Sequence, residues 1–279
     1  MDNNVLIILG MHRSGTSLIA QWLNKCGLQI GDELHGPDIG NRDGHFEDVD
    51  FLSLHKQILD ANKLRDDGLI HEPVKKINTY HKEKLKSIID LKSKLYKQWG
   101  WKEPRTCLFL PLYREVLPGA KHLIILRDFH AVVNSLITRQ FAVYEKQKFE
   151  TATYTRKLYW SRIQRARQLG SFQRKYTGYF LKVWIWYNQQ LLKHINFLDK
   201  EDFVLAEYSM LNRNAAPVFS VLKNHWSFSL KYYDYNRVYK KELVSKAVNI
   251  SNSVTDHELL RQATELQRRL KSYSFIADD

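Results

Sequence analysis

One junction near the N-terminus constrains the fold more than any other feature of the chain. An apolar run from Val5 to Leu9 passes through a Gly/Ser/Thr-rich turn into a segment with helical spacing. A run without polar residues is typical of a strand that is covered on both faces in a parallel sheet. Apolar residues from Leu18 to Leu23 form one face of the following helix, and Gly27 is a natural stop for it. This unit predicts an α/β protein.

Strand and helix patterns alternate along the rest of the sequence. Strands are predicted at His122–Leu126 and Phe203–Ala206, and a short strand and turn at Trp99–Thr106. Helices are predicted over residues 48–62, 80–97, 108–117, 130–141, 153–169, 178–197, 215–224 and 255–271. In the last helix Thr255 is the expected N-cap, with Glu258 three residues on. The alternation predicts a central parallel sheet flanked by helices, with a ligand at the carboxyl ends of the strands.

Composition indicates a folded, basic protein with an anionic partner. Hydrophobic residues make up 44% of the 279 positions, which is enough for a sizeable core and excludes overall disorder. The net charge is +13. Residues 151–198 contain no acid, so this stretch is either a solvated helix face or an electropositive lip for an anion. Its basic residues are Arg156, Lys157, Arg162, Arg165, Arg167, Arg174, Lys175, Lys182 and Lys193.

The ends and cysteines of the sequence favour a cytoplasmic protein. The first four residues are polar and uncharged or acidic, unlike a signal peptide, and no apolar stretch reaches the length of a membrane helix. Cys26 and Cys107 form no CxxC pair, which gives little support to a disulfide framework or a zinc site. No known DNA- or RNA-binding signature accompanies the charge, so a specific nucleic-acid partner is not expected.

The turn itself, Gly10 to Ser17, has the geometry of a phosphate-binding loop. It joins a buried strand to a helix, so several backbone N–H groups converge at the positive end of the helix dipole. The spacing is that of an ATP or GTP P-loop, but Thr16 stands where the lysine is required. The cation comes earlier, as Arg13. The loop therefore predicts phosphate binding in a P-loop-like fold and argues against a Mg²⁺-dependent phosphoryl transferase.

At this point the sequence resembles the sulfotransferases that use PAPS (3'-phosphoadenosine-5'-phosphosulfate) as donor. Arg13 to Ser17 is similar to the arginine form of their 5'-phosphosulfate loop, as in bacterial and tyrosylprotein-type members. Arg127-Asp128 after a strand, with Ser135 eight residues after Arg127, is similar to the pair that holds the donor's 3'-phosphate. Phe129 replaces the proline of that motif, which changes the turn but removes no ligand.

Two further segments resemble the family. Trp101 to Thr106 is similar to a Lys-Asp-Pro segment whose lysine assists at the transferring group, a role that falls on Lys102. Ala206-Glu207-Tyr208 partly matches a late strand whose end lies near the adenine. The resemblance implies PAPS as donor, PAP as product, no metal, and a single domain over residues 1–279. Helical insertions at about 30–98 and 150–198 would lie on the acceptor side, and extra helices would follow at the C-terminus.

The resemblance also assigns the donor-binding residues. Arg13 and Lys102 would stabilise the transferring group, the backbone of residues 14–17 would cradle the 5'-phosphate, and the hydroxyls of Thr16 and Ser17 would add donors. The implied donor-binding set is His12, Arg13, Ser14, Gly15, Thr16, Ser17, Arg127, Ser135 and Tyr208.

An acceptor hydroxyl benefits from a general base, and the segment Gly44 to Asp48 offers the best one. Related bacterial enzymes carry a Gly-x-Phe/Tyr-Glu segment that faces the acceptor, so Glu47 is the predicted base. Glu33, His45 and Asp48 are the alternatives, and Glu47 also has the simpler reading of a helix N-terminal acid.

Arg105 and the pair Trp184 and Tyr187 each have more than one possible role. Arg105 either holds an anionic part of the donor or acceptor or pairs with Glu103 or Asp128. Trp184 and Tyr187, three residues apart, form either an aromatic wall for a ring or part of the core.

The acceptor itself is not specified by the sequence. A carbohydrate, a glycolipid precursor or a small metabolite is favoured, with an anionic acceptor as one option, while a phenol or a peptide tyrosine stays open. Two other functions also remain at this stage. A kinase of a small metabolite would need ATP and Mg²⁺, and a non-catalytic nucleotide- or polyanion-binding protein would need no base.

Overall fold

A computed structural model describes residues 3–36, 44–150, 160, 164–239 and 248–275. Its sheet has four parallel strands in the order β2-β1-β3-β4. The strands are β1 (Asn4–Leu9), β2 (Gln98–Lys102), β3 (Lys121–Leu126) and β4 (Phe203–Glu207). The four predicted strands and the α/β fold class are thus confirmed.

Strand β1 is the centre of the structure because both of its faces are buried. Leu6 and Ile8 point into a cluster that contains Trp22, while Val5, Ile7 and Leu9 point into a second cluster on the opposite face. Each fully buried aliphatic side chain of this kind stabilises the fold by about 1.5–3 kcal/mol relative to an exposed one. This two-sided burial explains why the sequence of the strand has no polar alternation.

The helices form a layer on each face of the sheet. Helices α1, α7 and α8 pack on the Leu6 face, and the others contribute to the cluster on the Ile7 face. Their bounds are α1 Thr16–Lys25, α2 Val49–Ala61, α3 Thr79–Leu95, α4 Leu110–Val116, α5 Phe129–Phe149, α6 Arg165–Ile195, α7 Tyr208–Leu211, α8 Ala216–Ser220 and α9 His257–Lys271. The three layers confirm the predicted arrangement.

The prediction of separate helices at 153–169 and 178–197 is wrong where the structure describes these residues. Helix α6 runs without a break from Arg165 to Ile195, through Gly170 and Gly178. A glycine inside a helix costs about 1 kcal/mol relative to alanine, which is less than the burial of the large side chains that follow. Residues 151–159 and 161–163 of the first predicted helix lie outside the described residues.

Two helix ends also differ from the sequence-based expectation. The N-cap of α9 is Asp256, whose side chain accepts from the N–H of Leu259, so the expected Thr255 cap is wrong. A carboxylate at this position satisfies a free N–H and also favours the positive end of the helix dipole. The helix predicted over 215–224 is α-helical only to Ser220 and continues as a π-turn from Val221 to His225.

Helix α9 brings the C-terminal part of the chain back to the sheet. Gln267 donates to a carboxylate oxygen of Asp128 at 3.1 Å and accepts from the N–H of Phe129 at 3.0 Å. Lys271 pairs with Glu207 at the end of β4 at 2.8 Å. The ends of β3 and β4 are thereby fixed by residues that lie far away in the sequence. None of the described helices has the length and apolar character needed to cross a membrane.

Candidate functional site

The site lies where the strand order reverses. Strand β1 has β2 on one side and β3 on the other, so the loops that leave β1 and β3 diverge and open a crevice at the carboxyl edge of the sheet. A pocket occupies this crevice. The predicted site residues that line it are His12, Arg13, Gly15, Thr16, Ser17, His45, Glu47, Lys102, Arg127 and Tyr208.

The backbone of the loop after β1 is shaped to approach a ligand closely. Arg13 has a φ of 68° and Gly15 a φ of 94°, both in the left-handed region. A Cβ on Gly15 would lie 2.3 Å from the ring of Tyr208, so only glycine fits between helix α1 and this ring. Gly15 is also the N-cap of α1 and supplies no side-chain acceptor. The first-turn N–H groups of α1 are therefore suited to binding an anion.

Four residues that the sequence analysis predicted to bind the donor lie together, and we call them the donor end: Arg13, Arg127 and Tyr208, which line the pocket, and Ser135, which contacts Arg13 behind it. Arg127 donates to the carbonyl oxygen of Arg13 at 2.8 Å, and its guanidinium carbon lies 4.9 Å from the centre of the Tyr208 ring. The Nε of Arg13 donates to the Ser135 hydroxyl at 2.9 Å. The two predicted phosphate motifs, which are more than 100 residues apart, therefore meet. The contacts described for their two cations go to neutral oxygens and to a ring face.

Three residues form the acceptor end: Lys102, Glu47 and His45. The ammonium of Lys102 donates to the Ser17 hydroxyl at 3.1 Å and to Oε1 of Glu47 at 2.9 Å. Nδ1 of His45 lies 3.7 Å from the same carboxylate oxygen. Lys102 is 1% exposed and Glu47 6%, so the ion pair is shielded from water. Lys102 thus connects the phosphate loop directly to the predicted base.

Burial and ion pairing compete in setting the charges at the acceptor end. Burial alone would raise the pKa of Glu47, but the charge of Lys102 and hydrogen bonds from His45 and Lys102 hold it well below its ordinary value. Burial lowers the pKa of Lys102, and the neighbouring Glu47 opposes this shift. The carboxylate is therefore ionised and able to accept a proton.

The alternative bases occupy other positions. Asp48 is the N-cap of α2, accepts from the N–H of Asp50, and pairs with Lys92 at 2.7 Å. Its carboxylate therefore caps a helix and forms a buried ion pair, and does not face the pocket. Glu33 is exposed, and its carbonyl accepts from the N–H of Val49. Glu33 does not belong to the described residues that line the pocket, whereas Glu47 does.

A buried polar network supports the strand end that carries Lys102. Glu103 is fully buried, and its carboxylate accepts from the guanidinium of Arg105 and from Nδ1 of His55. Nε2 of His55 lies 2.7 Å from the Tyr113 hydroxyl. Of the readings for Arg105, the ion pair with Glu103 is the one formed, and its Nε also donates to the carbonyl of Asp66. His55, which lies 48 positions from Glu103, was not identified from the sequence.

The structure also places Arg139 and His12 at the pocket, and Trp184 and Tyr187 in the core. Arg139, which lines the pocket one helical turn after Ser135, was missed in the sequence analysis; its spacing of four residues from Ser135 on a helix is the signal that could have identified it. Burial and the charge of Arg105 lower the pKa of His12 to about 3, so this imidazole is neutral. Trp184 and Tyr187 are fully buried, which confirms the core reading and not the aromatic wall.

Comparison with known proteins found a matching family model and similar folds. The model of the sulfotransferase family matches residues 6–183. A sulfotransferase from Mycobacterium avium has 14% sequence identity and a TM-score of 0.56, covering 96% of this chain and 77% of its own. One from Alicyclobacillus acidocaldarius has 13% identity and a TM-score of 0.49, covering 99% and 98%. No curated protein matches at a significant level. The likeness to the mycobacterial protein is one of fold.

Proposed function

Because the chain belongs to the sulfotransferase family, we propose that it transfers a sulfuryl group from PAPS to an acceptor hydroxyl in the crevice between β1 and β3. The observation that carries this proposal is the position of Lys102. Its ammonium contacts both Ser17 of the phosphate loop and the buried carboxylate of Glu47. A cation that contacts both groups is suited to coupling departure of a phosphate to deprotonation of an acceptor.

The donor end is the proposed site of the nucleotide. Arg127 and Ser135 would bind the 3'-phosphate, while Arg13 and the N–H groups of residues 14–17 would bind the 5'-phosphosulfate. Arginine is suited to this role because it stays charged and binds phosphate oxygens through two parallel hydrogen bonds. The ring of Tyr208, which lies against both Gly15 and Arg127, would cover the nucleoside. Selection of PAPS over ATP would follow from the 3'-phosphate contacts.

The proposed transfer is a single in-line displacement. Glu47 accepts the proton of the acceptor hydroxyl as that oxygen forms its bond to sulfur. The bond between sulfur and the bridging oxygen breaks, and its electron pair stays on the 5'-phosphate of PAP. Lys102 and Arg13 stabilise the negative charge on that phosphate. By analogy with phosphoryl transfer, most of the acceleration comes from positioning and electrostatics, and the proposed step requires no metal.

The Lys102–Glu47 contact also suggests how the base is activated. While the pair is intact, the low pKa of Glu47 makes it a weak base. When Lys102 turns to the leaving oxygen, Glu47 loses its main stabilising charge and its pKa rises in a buried position. Proton transfer to Glu47 would then become favourable only after the donor is in place.

The pocket favours a polar acceptor. Arg139, Lys102 and His45 line it, and the aromatic pair that could have formed a ring-binding wall is in the core. We therefore propose a carbohydrate, a glycolipid precursor or a small metabolite as acceptor, with an anionic group tolerated beside the hydroxyl. A cytoplasmic location is proposed with it, because Cys26 and Cys107 are buried free thiols, as is usual in a reducing compartment.

Calorimetric titration with PAP and with ADP, each with and without Mg²⁺, tests the proposal. We expect PAP to bind tightly without Mg²⁺ and ADP to bind much more weakly, because ADP lacks the 3'-phosphate. Transfer from labelled PAPS to pooled carbohydrate and metabolite acceptors then tests turnover. Binding of ADP or ATP that depends on Mg²⁺ and shows no preference for PAP would contradict the proposal and support a kinase. Tight PAP binding without transfer to any acceptor would support a non-catalytic nucleotide-binding protein.

A further inference from the structure

Two short segments beside the acceptor end are joined by backbone hydrogen bonds into an antiparallel ladder. The N–H of His35 donates to the carbonyl of Glu47 at 2.8 Å, and the N–H of His45 donates to the carbonyl of His35 at 3.1 Å. An isolated bridge between Leu34 and Asp48 extends the ladder. These backbone hydrogen bonds hold His35, His45 and Glu47, which span 12 positions of the sequence, in one fixed group.

The side chains of this group converge. One potential ligand atom from each of His35, His45 and Glu47 lies within 4.8 Å of the other two. The imidazole centres of His35 and His45 are 4.7 Å apart, and Nδ1 of His45 is 3.7 Å from Oε1 of Glu47. In a tetrahedral zinc site with bonds of about 2.0–2.1 Å, ligand atoms are about 3.3 Å apart. Side-chain rotations that bring the three ligand atoms closer together by up to about 1.5 Å would therefore close the group around an ion.

We propose that His35, His45 and Glu47 form a binding site for a divalent transition-metal ion such as Zn²⁺, with water in the fourth position. Two imidazoles and one carboxylate are a ligand set that zinc uses when one coordination position stays open. The same set disfavours Mg²⁺ and Ca²⁺, which prefer oxygen ligands. His45 and Glu47 are each more than nine-tenths buried, so the ion would be shielded on the protein side.

The consequence of metal binding is inhibition, and this part rests on the proposed function. Glu47 is the proposed base and the partner of Lys102. A bound dication draws electron density from the carboxylate, which then cannot accept the acceptor's proton. Arg127 and Ser135 lie at the other end of the pocket, so nucleotide binding should persist. The ion therefore acts as an inhibitor of transfer and has no part in the reaction.

Calorimetric titration of the nucleotide-free protein with Zn²⁺ tests the site. We expect one ion per chain, and affinity at least about 10-fold lower in His35→Ala and in His45→Gln, since even second-shell changes cost about 10–100-fold. His257→Ala, which removes an exposed histidine at the start of α9, is the matched control and should bind like the unmodified protein. PAP affinity reports that each variant is folded. Equal Zn²⁺ affinity in all four proteins, or binding of Mg²⁺ as tight as that of Zn²⁺, would overturn the site.

Transfer assays test the consequence separately. Zn²⁺ should lower kcat without raising the KM for PAPS, a chelator should restore activity, and His35→Ala should retain basal activity while needing at least about 10-fold more Zn²⁺ for inhibition. Zn²⁺ that binds at this site but leaves transfer unchanged, or accelerates it, would overturn the inhibitory role. Loss of PAP binding or of transfer in metal-free protein would instead count against the proposed function. The two failures are thus distinguishable.

Discussion

The donor end and the acceptor end of the pocket bury positive charge in different ways. At the donor end, the hydrogen bonds described for Arg13 and Arg127 go to a hydroxyl and a carbonyl, and a tyrosine ring lies against one guanidinium. At the acceptor end, Lys102 is paired with an ionised carboxylate. Among the described residues that line the pocket, Glu47 is the only acid.

This difference indicates a division of roles. The hydroxyl, carbonyl and ring contacts described for the donor end stabilise a guanidinium without cancelling its charge, so these contacts leave its attraction for anions in place. A buried ion pair cancels most of its own field, and separating it is costly. Under the proposed function, Lys102 avoids this cost because it exchanges the charge of Glu47 for that of the leaving phosphate, while the donor end holds a charged ligand throughout.

The strongest test of this contrast is Glu47→Gln. The amide keeps the shape of the side chain but cannot accept a proton, so transfer should fall by about 100-fold or more, while the Kd for PAP changes by less than about twofold. Glu33→Gln is the matched control, because Glu33 is an exposed carboxylate from the same ladder, and it should retain activity. Single-turnover rates and calorimetry measure the two quantities. Full activity of Glu47→Gln would place the base elsewhere.

Removing the guanidinium of Arg127 should have the opposite effect to Glu47→Gln: PAP binding should be weakened directly. In Arg127→Ala, the Kd for PAP should rise by about 10- to 100-fold, since hydrogen bonds to charged groups contribute about 1.5–3 kcal/mol. The Kd for ADP, which lacks the 3'-phosphate, should change little. Arg268→Ala, at an exposed arginine of α9, serves as the control. An equal loss for PAP and ADP would contradict the assignment of Arg127 to the 3'-phosphate.

Acid should affect the fold through groups that belong to neither end. Burial lowers the pKa of His122 to about 4 and that of His194 to about 3, and their rings are 4.8 Å apart. In the unfolded chain both would titrate near 6.5, so below that pH the unfolded state binds more protons and the native state loses stability. From pH 7.5 to 5 the free energy of unfolding should fall by about 2 kcal/mol for each histidine.

Urea denaturation at a series of pH values measures this loss. His194→Leu should flatten the pH dependence by the share of one histidine, whatever its effect on stability at pH 7.5. The ion pair of the acceptor end should contribute little in this range, because the carboxylate of Glu47 is ionised in both the unfolded and the native state until the pH approaches the ordinary pKa of a glutamate. A pH dependence unchanged by His194→Leu would show that other groups dominate.

The smallest expected effect is that of Ser135→Ala. The hydroxyl accepts from Arg13 and is proposed to contact the 3'-phosphate, and a neutral hydrogen bond contributes about 0.5–1.5 kcal/mol. The Kd for PAP should therefore rise by about 2- to 10-fold, less than for Arg127→Ala. Ser251→Ala, in a partly exposed turn that does not line the pocket, provides the comparison. A loss larger than that of Arg127→Ala would mean that the hydroxyl positions Arg13 as its main task.

The sequence predicted most of the fold and the two ends of the pocket. Val5 to Leu9, Arg13, Arg127 and Lys102 were predictable because each lies at or beside a buried strand, where local pattern and position in the sheet are directly linked. Their convergence follows from the parallel order of the strands. The roles proposed for them stay predictions until the experiments above are done.

The features that were missed depend on long-range contacts. Glu103 and His55 form a buried pair only because α2 packs beside the end of β2. Helix α6 crosses two glycines because the burial of its large side chains outweighs their local propensity. The choice of Asp256 over Thr255 as N-cap depends on a one-residue shift of a helix start, which local patterns do not resolve.

The contacts of helix α9 with the ends of β3 and β4 limit where the chain can be truncated. The part that matches the family model ends at residue 183, whereas β4 and Gln267 lie beyond it. A chain cut at that point would leave β3 as an edge strand with unpaired N–H and C=O groups, a surface prone to aggregation. It would also leave Asp128 without its glutamine partner. Truncated versions that keep only the matched residues 6–183 should therefore be insoluble, because the sheet and the end of β3 depend on residues beyond them.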